Sequence, residues 1–176
     1  MSIKTIGLVG AGTMGSGIAQ AGALSGYNVT MQDISDAQLN SGITAINTSL
    51  ERLVSRDKIS GDDKTAVLAR IQGTVSLKDL ADCDVVIEAA TENMEIKIAL
   101  FKELDALCKA DAILASNTSS LSITRLAAAT NRAPQVIGLH FFNPVPIMKL
   151  VEIVRALQTS DATFATIGRA SCRDRV

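Results

Sequence analysis

Tryptophan is absent from the 176 residues, and there is one tyrosine, four phenylalanines and a single histidine. Aromatic side chains at 3% leave few platforms on which nucleobases could stack. Neither charge is in excess. The 17 basic and 18 acidic residues are scattered along the chain for a formal net charge of -1, so no broad field attracts nucleic acid or anionic lipid. Both are set aside as partners. Cysteine is sparse: Cys83, Cys108 and Cys172 are odd in number, widely spaced and without a C-x-x-C pair. That argues against a disulfide framework or a metal site and fits a reduced, cytoplasmic location. A long apolar run is missing too. Thr5 to Gln32 carries no charge, but seven glycines with Gln20 and Asn28 interrupt it, unlike a signal peptide or a membrane span.

What the chain does have is 47% hydrophobic residues, enough for a full core in one domain or in one domain plus the start of another. Ile3 to Val9 reads as a strand and Asn28 to Asp33 as a second, separated by a helix-length segment. Residues 36 to 56 and 62 to 71 read as two helices joined by the polar turn Ser60-Gly61-Asp62, a helical hairpin inserted between strands. Strands are then expected at Thr74 to Leu77, Asp84 to Ala89, Ala112 to Ser116, Val136 to Phe141 and Leu150 to Val154, with a helix from about Asn93 to Cys108. Several of these strands are continuous apolar runs, the pattern of strands covered on both faces. The expected fold class is therefore α/β: a Rossmann-type, doubly wound, mostly parallel sheet.

Gly10-Ala11-Gly12-Thr13-Met14-Gly15 is a G-x-G-x-x-G sequence lying between the first strand and the first helix. In that position Gly10 permits a tight turn, Gly12 lets backbone approach a pyrophosphate, and Gly15 lets the helix pack closely on the sheet. The helix N-terminus then favours the phosphate charge. A glycine-rich turn without ligand is the alternative. Asp33 follows Gly15 by 18 residues, where a carboxylate accepts hydrogen bonds from the adenosine ribose hydroxyls and repels a 2'-phosphate. The cofactor expected is thus NAD rather than NADP, unless Asp33 merely caps the helix that follows.

Two further segments carry a resemblance. Ser116-Asn117-Thr118-Ser119-Ser120-Leu121, and His140-Phe141-Phe142-Asn143-Pro144-Val145-Pro146 continuing through Met148-Lys149-Leu150-Val151-Glu152, resemble the L-3-hydroxyacyl-CoA dehydrogenase family, and within it the bacterial 3-hydroxybutyryl-CoA dehydrogenases. The similarity runs to about residue 164. It implies reversible hydride transfer between NAD and carbon 3 of a 3-hydroxyacyl-CoA. It also implies roles for particular residues. His140 is the general acid/base, and Glu152, twelve residues on, orients the imidazole and stabilises its charged form. Ser119 lies near the C3 oxygen of the substrate and the nicotinamide, Asn143 beside the nicotinamide, and Asn117 faces the same crevice. Turn and cap chemistry is the alternative for Ser119 and Asn143. Glu92 and Lys97 match positions that contact the nicotinamide half of NAD, although a solvated helix start would also carry them. Arg52 and Arg56, four apart on one face of the inserted helix, resemble a basic pair that holds CoA phosphates; a solvated basic face is the alternative.

The resemblance further implies a mostly helical C-terminal domain, through which the complete protein forms a homodimer, and none of it is recognisable in this chain. Residues 1–166 are therefore expected to form the NAD-binding domain. Residues 167–176 are unlike the family and resemble one reading frame of a common sequencing adapter except at Asp174. They are expected to be technical sequence, a divergent natural terminus being the alternative. A non-catalytic NAD-binding protein, an inactive fragment and a related dehydrogenase of polyols or sugar acids remain as competing functional readings.

Overall fold

The computed structural model describes residues 2–171, and these fold around one seven-stranded sheet. In chain order the elements are β1 (Thr5–Val9), α1 (Thr13–Leu24), β2 (Asn28–Gln32), α2 (Asp36–Val54), α3 (Gly61–Ala69), β3 (Ile71–Thr74) and β4 (Val85–Glu88). They continue with α4 (Met94–Leu107), β5 (Ile113–Ser116), α5 (Ile123–Ala128), β6 (Val136–Phe141), β7 (Val151–Arg155) and α6 (Asp161–Ser171). The strand order is β3-β2-β1-β4-β5-β6-β7. Every neighbouring pair is parallel except β6 and β7. The order reverses between β1 and β4, the switch point at which doubly wound sheets open a crevice at the carboxyl ends of their strands.

The central strands are buried along their whole length because helices cover both faces. Val85-Val86-Ile87-Glu88 and Ile113-Leu114-Ala115-Ser116 are fully buried. Successive side chains point to opposite faces of a strand. Accordingly Leu8, Val85, Ile87, Ile113 and Ala115 join one core with Ile18, Ala19 and Ile46, whereas Val9, Val86 and Leu114 join the other with Phe101, Leu104 and Leu126.

Local chemistry sets the helix ends. Ser35 accepts from the Gln38 N–H at the start of α2, Ser60 and Asp63 form a reciprocal capping box at α3, and Asn93 accepts from both Glu95 and Ile96 at α4. At the other end of α4 the buried Arg132 guanidinium donates to the carbonyls of Asp105, Cys108, Lys109 and Ala112 and pairs with the Asp105 carboxylate at 2.7 Å, satisfying acceptors the helix leaves open.

Two expectations need correcting. The third strand is Ile71–Thr74, and Leu77–Leu80 forms a 3-10 turn capped by Ser76, so the predicted strand at Thr74 to Leu77 is displaced. Helix α3 stops at Ala69, and Ile71 pairs with Val29. The interior Gly73, against which Leu39 and Ile43 pack, masks the strand pattern in the sequence. Helix α2 ends at Val54, and Asp57 takes a left-handed backbone conformation with φ 52°. Arg56 thus lies in the turn after the helix and not on the helical face it was expected to share with Arg52. Helix α6 passes through residue 166 to Ser171, and residues 172–176 of the expected tail lie outside the described residues. No helix among the described residues is long and apolar enough to cross a membrane, and no group of three or more His, Cys, Asp and Glu side chains among them is placed to hold a metal ion.

Candidate functional site

Parallel strands deliver their carboxyl ends to one edge of the sheet, and most candidate residues sit there. The Gly10–Gly15 loop leaves β1, Asp33 directly follows β2, Glu92 lies in the loop after β4, Asn117 and Ser119 follow β5, and His140 is the penultimate residue of β6. Strand β7 runs the other way, so its first residues lie beside the end of β6. His140 and Glu152 are direct cross-strand partners in that register.

The glycine loop is shaped for a bound anion. Gly10 has φ +101°, and a Cβ on Gly15 would stand 1.8 Å from the Gly10 carbonyl oxygen, so the helix closes on the turn only with glycine at both positions. A Cβ on Gly12 would meet no atom within 4 Å, which leaves its backbone open to the crevice. Helix α1 has no side-chain cap at Gly12 and no acidic residue in its first turn, so its first amides keep their positive end for a ligand. Asp33 helps to hold the loop: Oδ2 accepts from the Ala11 N–H at 2.7 Å and Oδ1 from the Ile34 N–H at 2.7 Å. A carboxylate has further lone pairs for ribose hydroxyls. The cap of α2 is Ser35, which removes capping as the explanation of Asp33. These features fit a dinucleotide.

At the other end of the crevice His140 Nδ1 lies 2.8 Å from Glu152 Oε2, with side-chain exposures of 20% and 53%. The Phe142 ring packs beside the imidazole, with centroids 4.6 Å apart and the planes tilted by 55°. Asn117 Oδ1 accepts from the Phe141 N–H at 2.9 Å and so ties the end of β5 to the backbone beside the histidine. Ser119 is exposed in the loop before α5, and Asn143 is exposed just before a cis peptide bond to Pro144. Glu92 is held by Thr118, by Ser120 Oγ at 3.4 Å and by Lys97 Nζ at 3.3 Å. Burial acts to raise its pKa, but the Thr118 hydrogen bond and the Lys97 charge outweigh it and hold the carboxyl below its ordinary value.

Lys97 does not reach into open solvent as a helix-start lysine would. Its side chain is 1% exposed, and Nζ sits 2.5 Å from Oε1 of Glu88, which is fully buried. Sequence reasoning overlooked Glu88 and its other partner, Ser116. The signal was a carboxylate closing an otherwise apolar strand, Val85-Val86-Ile87-Glu88, with a lysine nine residues on.

Arg52 and Arg56 are the pair the fold does not join to the rest. Both are exposed, and Arg52 lies about 15 Å along α2 from Gly42, the point where that helix touches the Ala11 carbonyl. Glu51 is engaged by Lys64 at 3.0 Å, so neither guanidinium has an ion-pair partner among the described residues.

Comparison with known proteins decides the family: residues 5–173 match the model of the 3-hydroxyacyl-CoA dehydrogenase, NAD binding domain. The chain belongs to the 3-hydroxyacyl-CoA dehydrogenase family. It is 52% identical over 162 residues to a 3-hydroxybutyryl-CoA dehydrogenase of Bradyrhizobium diazoefficiens, covering 92% of this chain and 55% of that protein. It is 42% identical over 160 residues to 3-hydroxyadipyl-CoA dehydrogenase of Escherichia coli, covering 91% and 34%. The crystal structure of (S)-3-hydroxybutyryl-CoA dehydrogenase from Ralstonia eutropha superposes with a TM-score of 0.96 at 53% identity, over 98% of this chain and 61% of that one. The chain therefore carries the NAD-binding domain of this family. It spans a little over half the length of the 3-hydroxybutyryl-CoA dehydrogenase it matches.

Proposed function

We propose that this domain serves the interconversion of 3-hydroxyacyl-CoA and 3-oxoacyl-CoA, with a short acyl chain as substrate. The observation that carries the reading is the His140–Glu152 pair, 2.8 Å apart at the sheet edge that also bears the open glycine loop. A base and its orienter stand at one end of the crevice and an anion cradle at the other. The similarity to 3-hydroxybutyryl-CoA dehydrogenases supports the substrate class.

When bound, NAD supplies the acceptor for the hydride that leaves carbon 3. The protein residues do the rest. Gly10, Ala11, Gly12, Thr13, Met14 and Gly15 hold the pyrophosphate with backbone amides, and Asp33 holds the adenosine ribose. Glu92, Lys97, Asn117, Ser119 and Asn143 line the nicotinamide side. With Nδ1 bonded to Glu152, His140 presents Nε2 to the substrate hydroxyl and takes its proton. Glu152 stabilises the imidazolium that results. In the reductive direction the same proton returns to the 3-oxo oxygen. Ser119 donates to that oxygen, and Arg52 and Arg56 hold CoA phosphates. The complete protein works as a homodimer in the cytoplasm, assembled through a helical domain that follows this one.

The test is the loss of NADH absorbance with acetoacetyl-CoA, run on this chain and on a version extended with a family C-terminal domain. Turnover by the extended version is expected. If both versions bind NADH and neither turns over, the acyl-CoA reading is wrong.

A further inference from the structure

The carboxylate of Glu88 is the most completely enclosed charge in the crevice wall. It sits at 0% exposure at the end of β4 and makes three short contacts: from Lys97 Nζ at 2.5 Å, from Ser116 Oγ at 2.6 Å and from the Ala90 N–H at 2.6 Å. These partners come from α4, from the end of β5 and from the loop after β4 itself. Lys97 passes the constraint on. Its ammonium also lies 3.4 Å from the Ala90 carbonyl and 3.3 Å from Glu92 Oε2, so all its donor capacity is turned inward. Glu92 in turn accepts from Thr118 and Ser120, beyond β5. The chain Glu88, Lys97, Glu92, Thr118 thus ties together the two loops at the carboxyl ends of β4 and β5.

The position of those loops gives the chain a purpose. A dinucleotide lies across the switch point between β1 and β4, with its adenosine toward Asp33 after β2. Its other half then lies over β4 and β5, on the way to His140 on β6. Glu92, with 43% of its side chain exposed, is the member of the chain that faces outward, whereas Lys97 is 1% exposed behind it.

We propose that Glu88 is a positioning residue for the nicotinamide half of the cofactor site, holding the Lys97 ammonium so that Lys97 sets the Glu92 carboxylate and the loop after β5. The proposal deepens the NAD reading above and rests on it. Charged members inside such a network act together, and double-variant cycles expose this as non-additivity.

The experiment measures binding of NADH and of ADP to this 176-residue chain by fluorescence and calorimetry. ADP contains the adenosine and pyrophosphate parts but neither the nicotinamide ring nor its ribose. For Glu88→Gln we expect NADH affinity to fall about tenfold and ADP affinity to stay within about twofold of wild type. Adding Glu92→Gln to that variant should cost little more, whereas Glu92→Gln alone should reproduce most of the loss. If Glu88→Gln fails to fold, the apolar pair Glu88→Leu with Lys97→Met removes both charges at once, a replacement that buried ion pairs commonly tolerate. It should show the same selective loss of NADH. Equal losses of NADH and ADP would reveal a merely structural role and overturn the proposal. So would additive losses, or wild-type NADH affinity in the apolar pair. A wild-type chain that binds neither nucleotide would instead bring down the underlying NAD reading, and this proposal with it.

Discussion

His140 and Glu152 face each other across an antiparallel strand pair, directly opposite in register, with Nδ1 and Oε2 2.8 Å apart. The pairing of β6 with β7 therefore places the two side chains together by backbone geometry and not by loop conformation. In a version extended to the length of the relatives, His140→Ala should lower kcat for acetoacetyl-CoA by about 10²- to 10⁴-fold and leave NADH binding unchanged. Glu152→Gln should give a smaller loss of the same kind. An alanine variant keeping a tenth of the activity would remove His140 from the chemistry.

The glycine loop separates fold from binding. A methyl group at Gly15 would collide with the Gly10 carbonyl oxygen at 1.8 Å, whereas at Gly12 it would enter open space. Gly15→Ala should therefore cost about 1–3 kcal/mol of stability, seen as a fall of several degrees in Tm. Gly12→Ala should melt like wild type and bind NADH about tenfold more weakly, because the methyl occupies the path of the pyrophosphate. Identical melting of both variants would contradict the geometry.

Asp33 bonds to the Ala11 and Ile34 amides, and these contacts aim its carboxylate at the loop. Asp33→Ser should weaken NAD binding by about tenfold and narrow the preference over NADP, as the repulsion of a 2'-phosphate disappears. Titration with both nucleotides checks it, and unchanged affinities for the two would end the assignment.

Arg52 and Arg56 have no carboxylate partner among the described residues, which leaves both charges available to a phosphate. Replacing both with alanine in the extended protein should raise KM for acetoacetyl-CoA about tenfold and leave KM for NADH unchanged. Equal increases in both would contradict a CoA role.

Far from the crevice, Asp84 fastens the opposite end of the sheet. Burial would raise its pKa, but hydrogen bonds from Lys109, from the Lys4 and Thr5 amides and from the Thr5 hydroxyl more than offset this and bring it to about 2. A folded pKa below the unfolded value of about 3.9 means that the stabilisation is fully present above about pH 4. It is lost as pH falls toward 2. Asp84→Asn should therefore destabilise the chain by about 2 kcal/mol at neutral pH and by much less at pH 2, a difference that urea unfolding at the two pH values would show. A penalty independent of pH would mean that hydrogen-bond geometry, not charge, carries the effect.

Where the fold was legible in the sequence, the reason was local. Val85-Val86-Ile87 and Ile113-Leu114-Ala115 read as strands because both of their faces are covered, and the glycine spacing announced a turn with a helix behind it. Where the reading slipped, the cause was non-local. Ile71–Thr74 is a strand because Val29 pairs with its first residue and Leu39 packs over Gly73, neither of which local pattern reveals. The pairing of Lys97 with Glu88 was hidden likewise, since a lysine near a helix start ordinarily points to water.

By itself the sequence determined the α/β class, the glycine loop between β1 and α1, the carboxylate after β2 and the one histidine, because each follows from residue type and spacing along a short stretch of chain. Only the tertiary structure decided that β7 turns antiparallel to bring Glu152 onto His140, that Glu88 pairs with Lys97, and that Arg52 at the end of α2 and Arg56 in the turn after it stand apart from the crevice. Those relations depend on which strands pair and how far each helix runs. Both are settled by burying the two cores together, and not by any segment alone.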